Sequence, residues 1–234
     1  MSSSIRVETI TLGDELLLGI RENTHLTYLG TQFAHHGIEP SANLVIRDQP
    51  EDIRLFFSES WKRSDLIVTT GGLGPTSDDL TRESIAEILG EKLIYDYAIE
   101  QTIIERFQSL DRDMPESNLK QCYRPENAEV LANPYGTAPG LFLKKKKKIL
   151  VMLPGPAREM HPMFEEQVVP RLQKEGLFPE IDCYLQIRTA GIGESDLAEK
   201  VQPLFKDKNG LIVGYCAHAG MVDLRLSSVD SDLF

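Results

Sequence analysis

Three short apolar or β-branched runs, Arg6 to Leu12, Ser41 to Ile46 and Leu66 to Thr70, alternate with stretches whose apolar residues recur every three or four positions. The runs predict strands. The first amphipathic stretch aligns Leu26, Leu29, Phe33 and Ala34 and ends at Gly37, where a helix C-cap belongs. The second, Pro50 to Arg63, aligns Ile53, Phe56, Phe57, Ser60 and Trp61. A third begins near Thr81, aligns Ile85, Ile88 and Leu89, and stops at Gly90. The run at Leu66 is apolar on successive residues, which suits a parallel strand covered on both faces. Strands alternating with helix-length crossovers predict an α/β fold with a doubly wound, mostly parallel sheet.

Further along, Asp96 to Leu110 predicts a helix with Ile99, Ile103, Phe107 and Leu110 on one face. "DRDMPESNLKQCYRPENAEV" reads as loop. "GLFLKKKKKILVMLPG" predicts two strands joined by a solvated turn of five lysines, Lys144 to Lys148. Pro156 to Leu172 predicts a helix with Met160, Met163, Phe164 and Val168 inward, kinked or ended by Pro170. Pro179 marks a boundary: residues 1–178 form one domain and 179–234 a small α+β unit. In that unit strands are expected at Cys183 to Thr189, Leu211 to Tyr215 and Met221 to Leu226, with a helix over Glu194 to Phe205. It is either a compact second domain or the front of a longer one.

Charge narrows the possible partners. The net charge of -11 argues against a broad nucleic-acid footprint and against binding an anionic membrane by charge. An anionic ligand would need local help from backbone N–H groups or a metal. The three cysteines, Cys122, Cys183 and Cys216, show no C-x-x-C spacing, so a reducing, cytoplasmic setting is expected. No apolar run approaches the roughly 20 residues of a membrane span, and the N-terminus reaches acidic residues too soon for a signal peptide.

Candidate chemistry concentrates in loops that follow predicted strands. "TTGGLGPTSDDLT", residues 69 to 81, leaves a buried strand and enters a helix. Its glycines allow close backbone approach, and the helix start favours phosphate. Asp78 and Asp79 would repel a bare phosphate, so they imply a divalent cation between them or a carboxylate that activates water. The bland alternative is a tight turn with a helix cap. The loop is neither a Walker P-loop nor G-x-G-x-x-G, and "RESIAE" fills only the second of the paired glutamate positions of a Nudix box, with Glu87, while Ala86 stands in the first and Gly74 where the upstream glutamate belongs. "GDELLLG" (Gly13 to Gly19) opens on the same sheet edge, where Asp14 and Glu15 could meet Asp78 and Asp79. "NPYGTAPG" (Asn133 to Gly140) and "LPGPAREM" (Leu153 to Met160) complete four such loops.

These loops, together with "MPESNLKQ" and "GIGESDL", resemble the N-terminal half of the CinA (competence/damage-inducible) family. That half is a molybdopterin-binding-like domain related to MogA and MoaB. The resemblance implies a three-layer α/β fold followed by a small domain. It also implies a metal-dependent pyrophosphatase that cleaves ADP-ribose to AMP and ribose 5-phosphate. Asp14, Asp78 and Asp79 are the expected catalytic and metal-binding residues. Substrate contacts are expected from Gly13, Gly71, Gly72, Leu73, Gly74, Pro75, Thr76 and Thr81. The later loops add Asn133, Gly136, Thr137, Ala138, Pro139 and Gly140, and then Pro154 and Gly155. Magnesium, manganese or cobalt, with a monovalent cation, are the expected cofactors, and a homodimer the expected assembly. A molybdopterin-handling protein and a non-catalytic nucleotide-binding module are the alternatives, with FAD a further candidate substrate. Family members often add an amidase for nicotinamide mononucleotide; nothing of it is visible in this sequence, and that activity is not expected.

Overall fold

The computed structural model describes residues 5–179, 184–206 and 210–228. These divide into two compact units, residues 1–28 with 40–171, and residues 29–39 with 172–234. Cys183, the expected start of a strand, lies outside the described residues.

The first unit is built on a six-stranded sheet in the order β2-β1-β3-β8-β7-β6. Its strands are β1 (Val7–Leu12), β2 (Ala42–Ile46), β3 (Leu66–Thr70), β6 (Ala128–Leu131), β7 (Gly140–Lys145) and β8 (Lys148–Leu153). The pairs β1·β2, β1·β3 and β3·β8 are parallel; β7 runs antiparallel to β8 and to β6. All positions of β1 and β3 are buried, as a central parallel strand covered by helices requires. The crossovers carry α1 (Asp14–Leu17), α2 (Thr24–His35), α3 (Pro50–Arg63) and α4 (Thr81–Leu89). Ile53 and Phe57 of α3 and Ile85 of α4 share one core with Ile10, Ile67 and Leu150. Phe56 and Leu26, expected on buried faces, are exposed at the edge of theirs.

The segment read as loop between residues 111 and 130 is structured. A 3-10 helix spans Glu116–Cys122, and β5 (Tyr123–Pro125) pairs antiparallel with β4 (Leu93–Tyr95) before β6 begins. Strands of three or four residues are too short to show a period, which is why the sequence hid them. Helix α5 (Tyr97–Gln108) is capped by Asp96, whose side chain accepts from Ala98 N at 3.0 Å. The helix after β8 is broken: α6 (Ala157–Met163) passes through a π-turn at Phe164–Val168 into α7 (Val169–Lys174). The π-turn carries the irregularity that was expected at Pro170.

The lysine turn is also not a plain solvated hairpin. Lys148 Nζ donates to the carbonyls of Trp61, Lys62 (3.0 Å) and Ser64 (2.9 Å), which end α3. Lys145 Nζ donates to Leu89 O, at the end of α4, and to Glu91. Both ammonium groups satisfy orphan carbonyls at the negative end of a helix. On the same sheet edge Arg63 clasps the buried Glu8 at 2.6 and 2.8 Å. Burial alone would raise the Glu8 carboxyl, but the bonds from Arg63 and Arg6 outweigh it and hold it near 2. Lys148→Met is expected to cost about 1–3 kcal/mol, read as a lower urea midpoint at unchanged m, because three carbonyls lose their donor.

The second unit carries β9 (Tyr184–Ala190), α8 (Glu194–Phe205), β10 (Ile212–His218) and β11 (Met221–Ser227). The strands form an antiparallel sheet in the order β10-β11-β9, with Leu197, Val222, Leu224 and Leu226 as its core. This is the small α+β unit that the pattern predicts.

Candidate functional site

In an open α/β sheet, ligands bind beyond the carboxyl ends of the strands, where neighbouring crossovers diverge. Here β1 leads to β2 on one side, while β3 lies on the other. At that point the loops after β1, β2, β3 and β8 surround a cleft of about 390 Å³. Gly13, Gly71, Gly72, Leu73, Gly74 and Pro75 line it, as expected. So do Asp79, Thr137 and Ala138, and Pro154 and Gly155, the latter beside Gly71.

Other expected residues stand behind the lining or elsewhere. Thr76 is exposed; its N–H and hydroxyl both donate to Asp79 Oδ2, the former at 2.9 Å. Asp79 is therefore also the pin of its own loop. Thr81 is buried, and its N–H donates to Gly72 O. Asp14 and Asp78 are exposed and do not line the cleft; from the first loop it is Glu15 that does. Asn133, Gly136 and Pro139 line a second cavity, and Gly140 opens β7.

Two lining acids were not anticipated. Asp48, after β2, faces the glycine loop, with Thr81 Oγ1 3.5 Å from its Oδ1. Burial, then the charges of Asp79, Asp78 and Asp14, push its carboxyl up to about 7. All three expected acids thus act on one side chain that the sequence reading passed over. Glu159, in "LPGPAREM", is buried at the cleft wall, and its Oε2 accepts from Asn133 Nδ2 at 2.8 Å. Asn133 also donates to Ala138 O at 2.7 Å, so this pair holds the loop in shape. Glu159→Ala is expected to cost about 1–3 kcal/mol in denaturant melts and Glu159→Gln much less, since the glutamine can still accept from Asn133.

The amide of Gly71 is committed to Leu153 O at 3.0 Å, and those of Thr76, Asp79 and Thr81 also have internal acceptors. Among the described residues no protein acceptor engages the Gly72, Leu73 or Gly74 amide. Lys120 Nζ donates to Thr76 O at 2.9 Å and to Asp79 O, clamping the loop from the 3-10 helix. Behind it, His25 Nδ1 lies 2.9 Å from Thr70 Oγ1 at the end of β3, and burial lowers the His25 pKa.

Among the described residues no group of three His, Cys, Asp or Glu side chains is placed to hold a metal by itself. The donor chemistry nevertheless suits a hard divalent cation. A carboxylate whose pKa is raised by burial and then by like charges is relieved by one. Magnesium-type sites commonly use one or two carboxylates and take other ligands from substrate phosphates and water.

Comparison with known proteins agrees with this architecture. A family profile described as "Probable molybdopterin binding domain" matches residues 8–174, and one described as "Damage-inducible protein CinA KH domain" matches residues 186–233. A putative competence-damage inducible protein of Clostridium botulinum (strain Loch Maree / Type A3) is 40% identical over 96% of this chain and 54% of its own length. A CinA-like protein of Kosmotoga olearia is also 40% identical, over the same shares. The chain therefore spans about half the length of these relatives. Among solved structures, a CinA protein of unknown function from Thermoplasma acidophilum superposes with a TM-score of 0.66 at 31% identity, covering 72% of this chain and 99% of that one. MoaB of Thermus thermophilus, at 20% identity and a TM-score of 0.50 over 74% of this chain and 95% of its own, shares the fold. The chain belongs to the family described as a probable molybdopterin binding domain, in the CinA group where that domain is followed by a KH domain.

Proposed function

We propose that the first unit hydrolyses the diphosphate of ADP-ribose, or of a similar nucleotide diphosphate, with the help of a divalent cation. The observation that supports this most is the position of Asp48. Four carboxylates, those of Asp48, Asp79, Asp78 and Asp14, interact beside a glycine loop in which the Gly72, Leu73 and Gly74 amides have no acceptor among the described residues. Carboxylates and an anion-binding loop in one cleft are mutually repulsive for a bare phosphate and compatible once a cation lies between them.

The residues divide the work. The amides of Gly72, Leu73 and Gly74 receive the diphosphate and offset negative charge that develops on it. Asp48 and Asp79 hold the cation, with Asp14 and Asp78 adding field from outside the lining. When bound, the cation polarises a phosphoryl oxygen and lowers the pKa of coordinated water. Lys120 keeps the glycine loop in its receiving conformation through its two carbonyl contacts. Glu159 and Asn133 fix the Thr137–Ala138 wall opposite.

The test is a panel of nucleotide diphosphates incubated with magnesium, manganese or cobalt, with detection of released monophosphate. Turnover of ADP-ribose to AMP and ribose 5-phosphate is expected; no release from any member overturns the reading. A second reading, molybdopterin handling, is supported by the family described for residues 8–174. Pterin co-purifying with a hydrolytically inert protein would favour it. Nucleotide binding without hydrolysis would favour a regulatory module.

Nucleic acid is not among the proposed partners. KH modules clamp the backbone of RNA with a G-x-x-G loop. From residue 180 onward no G-x-x-G occurs; the first loop reads Gly191-Ile192-Gly193-Glu194, with Asp196 and Glu199 close behind. Labelled single-stranded RNA is expected to show no anisotropy change at micromolar protein and 150 mM salt, conditions under which a KH clamp would register.

A further inference from the structure

A second cavity, of about 150 Å³, lies on the far side of the loop that walls the cleft. Ala98, Ile99, Thr102 and Ile103 of α5 form one wall, with Val130 and Ala132 across from them. Asn133, Gly136 and Pro139 close it, and Thr137 lines both cavities. The surface is chiefly apolar, and the side chains of Thr102, Asp96 and Asn133 are already engaged. Thr102 Oγ1 donates to Ala98 O at 2.9 Å, and Asp96 accepts from Ala98 N and from Arg124. Asn133 donates to Ala138 O and Glu159 and accepts from Tyr135 N at 3.1 Å. Arg106 of α5 pins the loop by donating to Pro134 O at 2.7 Å and Tyr135 O at 2.6 Å. The cavity is therefore held open by a fixed frame and offers little to a charged or sugar-like group.

Whole-ligand sites commonly measure about 300–1,000 Å³. This one is too small for a nucleotide and of the scale of one flat ring system. It shares Thr137 with a cleft suited to the polar remainder of such a molecule. We propose that this cavity takes the aromatic base of the nucleotide whose diphosphate occupies the carboxylate-lined cleft, with Thr137 at the junction. The assignment rests on the nucleotide-diphosphate reading above. It makes the α5 face the determinant that separates nucleotides from other diphosphate esters.

The test compares ADP-ribose with its abasic analogue, in which a hydroxyl replaces adenine. Binding is measured by calorimetry with manganese present, using non-hydrolysable methylene-bridged forms of both ligands, and hydrolysis with the natural forms. Thr102 and Ala132 are both exposed, so the double variant Thr102→Leu/Ala132→Leu fills the cavity from its rim without disturbing the core. The wild-type chain is expected to bind ADP-ribose at least tenfold more tightly than the analogue. The double variant is expected to bind ADP-ribose no better than the analogue, with affinity for the analogue unchanged. Equal binding of both ligands by the wild type, or an equal loss of both in the variant, overturns the assignment. Discrimination without hydrolysis supports the cavity and removes the pyrophosphatase reading; hydrolysis without discrimination does the reverse. Failure of both ligands to bind overturns both.

Discussion

Asp48→Asn is expected to abolish cation-dependent hydrolysis while making the cation-free protein more stable at pH 8. The folded chain binds a proton at Asp48 more tightly than the unfolded chain does, since its carboxyl is raised from 3.8 to about 7. Its contribution to stability is therefore intact below the unfolded value. It is lost progressively as pH rises from about 4 to about 7, and above that the folded state carries the full penalty. Asparagine has no charge to bury. A tenfold change in proton affinity corresponds to about 1.4 kcal/mol. Because Asp48 is only half-buried, solvent screening reduces the net gain to about 1–2 kcal/mol, or roughly 2–8 °C in Tm for a unit of this size. At pH 4 the two proteins should melt together. Adding manganese should raise the Tm of the wild type and leave the variant unmoved, because only a folded state with its ligand intact gains from binding. Loss of a group that positions or activates the nucleophile typically costs about 10²–10⁴ in rate. A variant that keeps wild-type turnover removes Asp48 from the chemistry, and one that is less stable at pH 8 removes the account of its charge.

Gly72→Ala should be the most damaging single substitution in the cleft. Gly72 has φ of 66°, and an added Cβ would overlap Thr81 Oγ1 and come within 2.7 Å of Asp48 Oδ1 and 2.9 Å of Thr81 Cβ. The left-handed backbone costs a residue with a side chain about 1–2 kcal/mol. Thr81 is fully buried in the first turn of α4 and cannot move aside, which adds about 1–3 kcal/mol of overpacking. The sum, about 2–5 kcal/mol, corresponds to a fall in Tm of roughly 4–20 °C. Gly90 provides the control. Its φ is 65°, yet an added Cβ meets nothing within 4 Å, so Gly90→Ala should show the backbone cost alone. Adding Thr81→Ala to Gly72→Ala should recover part of the loss. A Gly72→Ala protein no less stable than Gly90→Ala would show that the Thr81–Asp48 wall yields.

Much of this site was legible because glycine-bearing loops announce themselves. The loops at Gly13, Gly71, Thr137 and Pro154 follow their strands and meet at one sheet edge, as their spacing implied. Asp48 was missed because "RDQP" holds no glycine and no motif. What could have found it is its position directly after β2, the strand that pairs with β1. Glu15 rather than Asp14 lines the cleft for a local reason: in a four-residue helix, adjacent side chains diverge, and only one of the two is in the lining. Within its motif Glu159 looks like any helix residue, since its partner Asn133 is distant in sequence. The lysine run shows the limit most plainly. Composition describes a solvated turn and a pair of helix clamps with the same five letters. Only the packing of β8 beside α3 distinguishes them.

The clamps and the cleft occupy opposite ends of the same strands. Lys145, Lys148 and the Glu8–Arg63 pair tie the entry side, where each charge has its partner: helix-end carbonyls for the lysines and a carboxylate for the arginine. The exit side gathers acids of one sign. A scaffold split this way can exchange its loops for new chemistry without loosening its frame, and so can be inherited by enzymes with unrelated substrates.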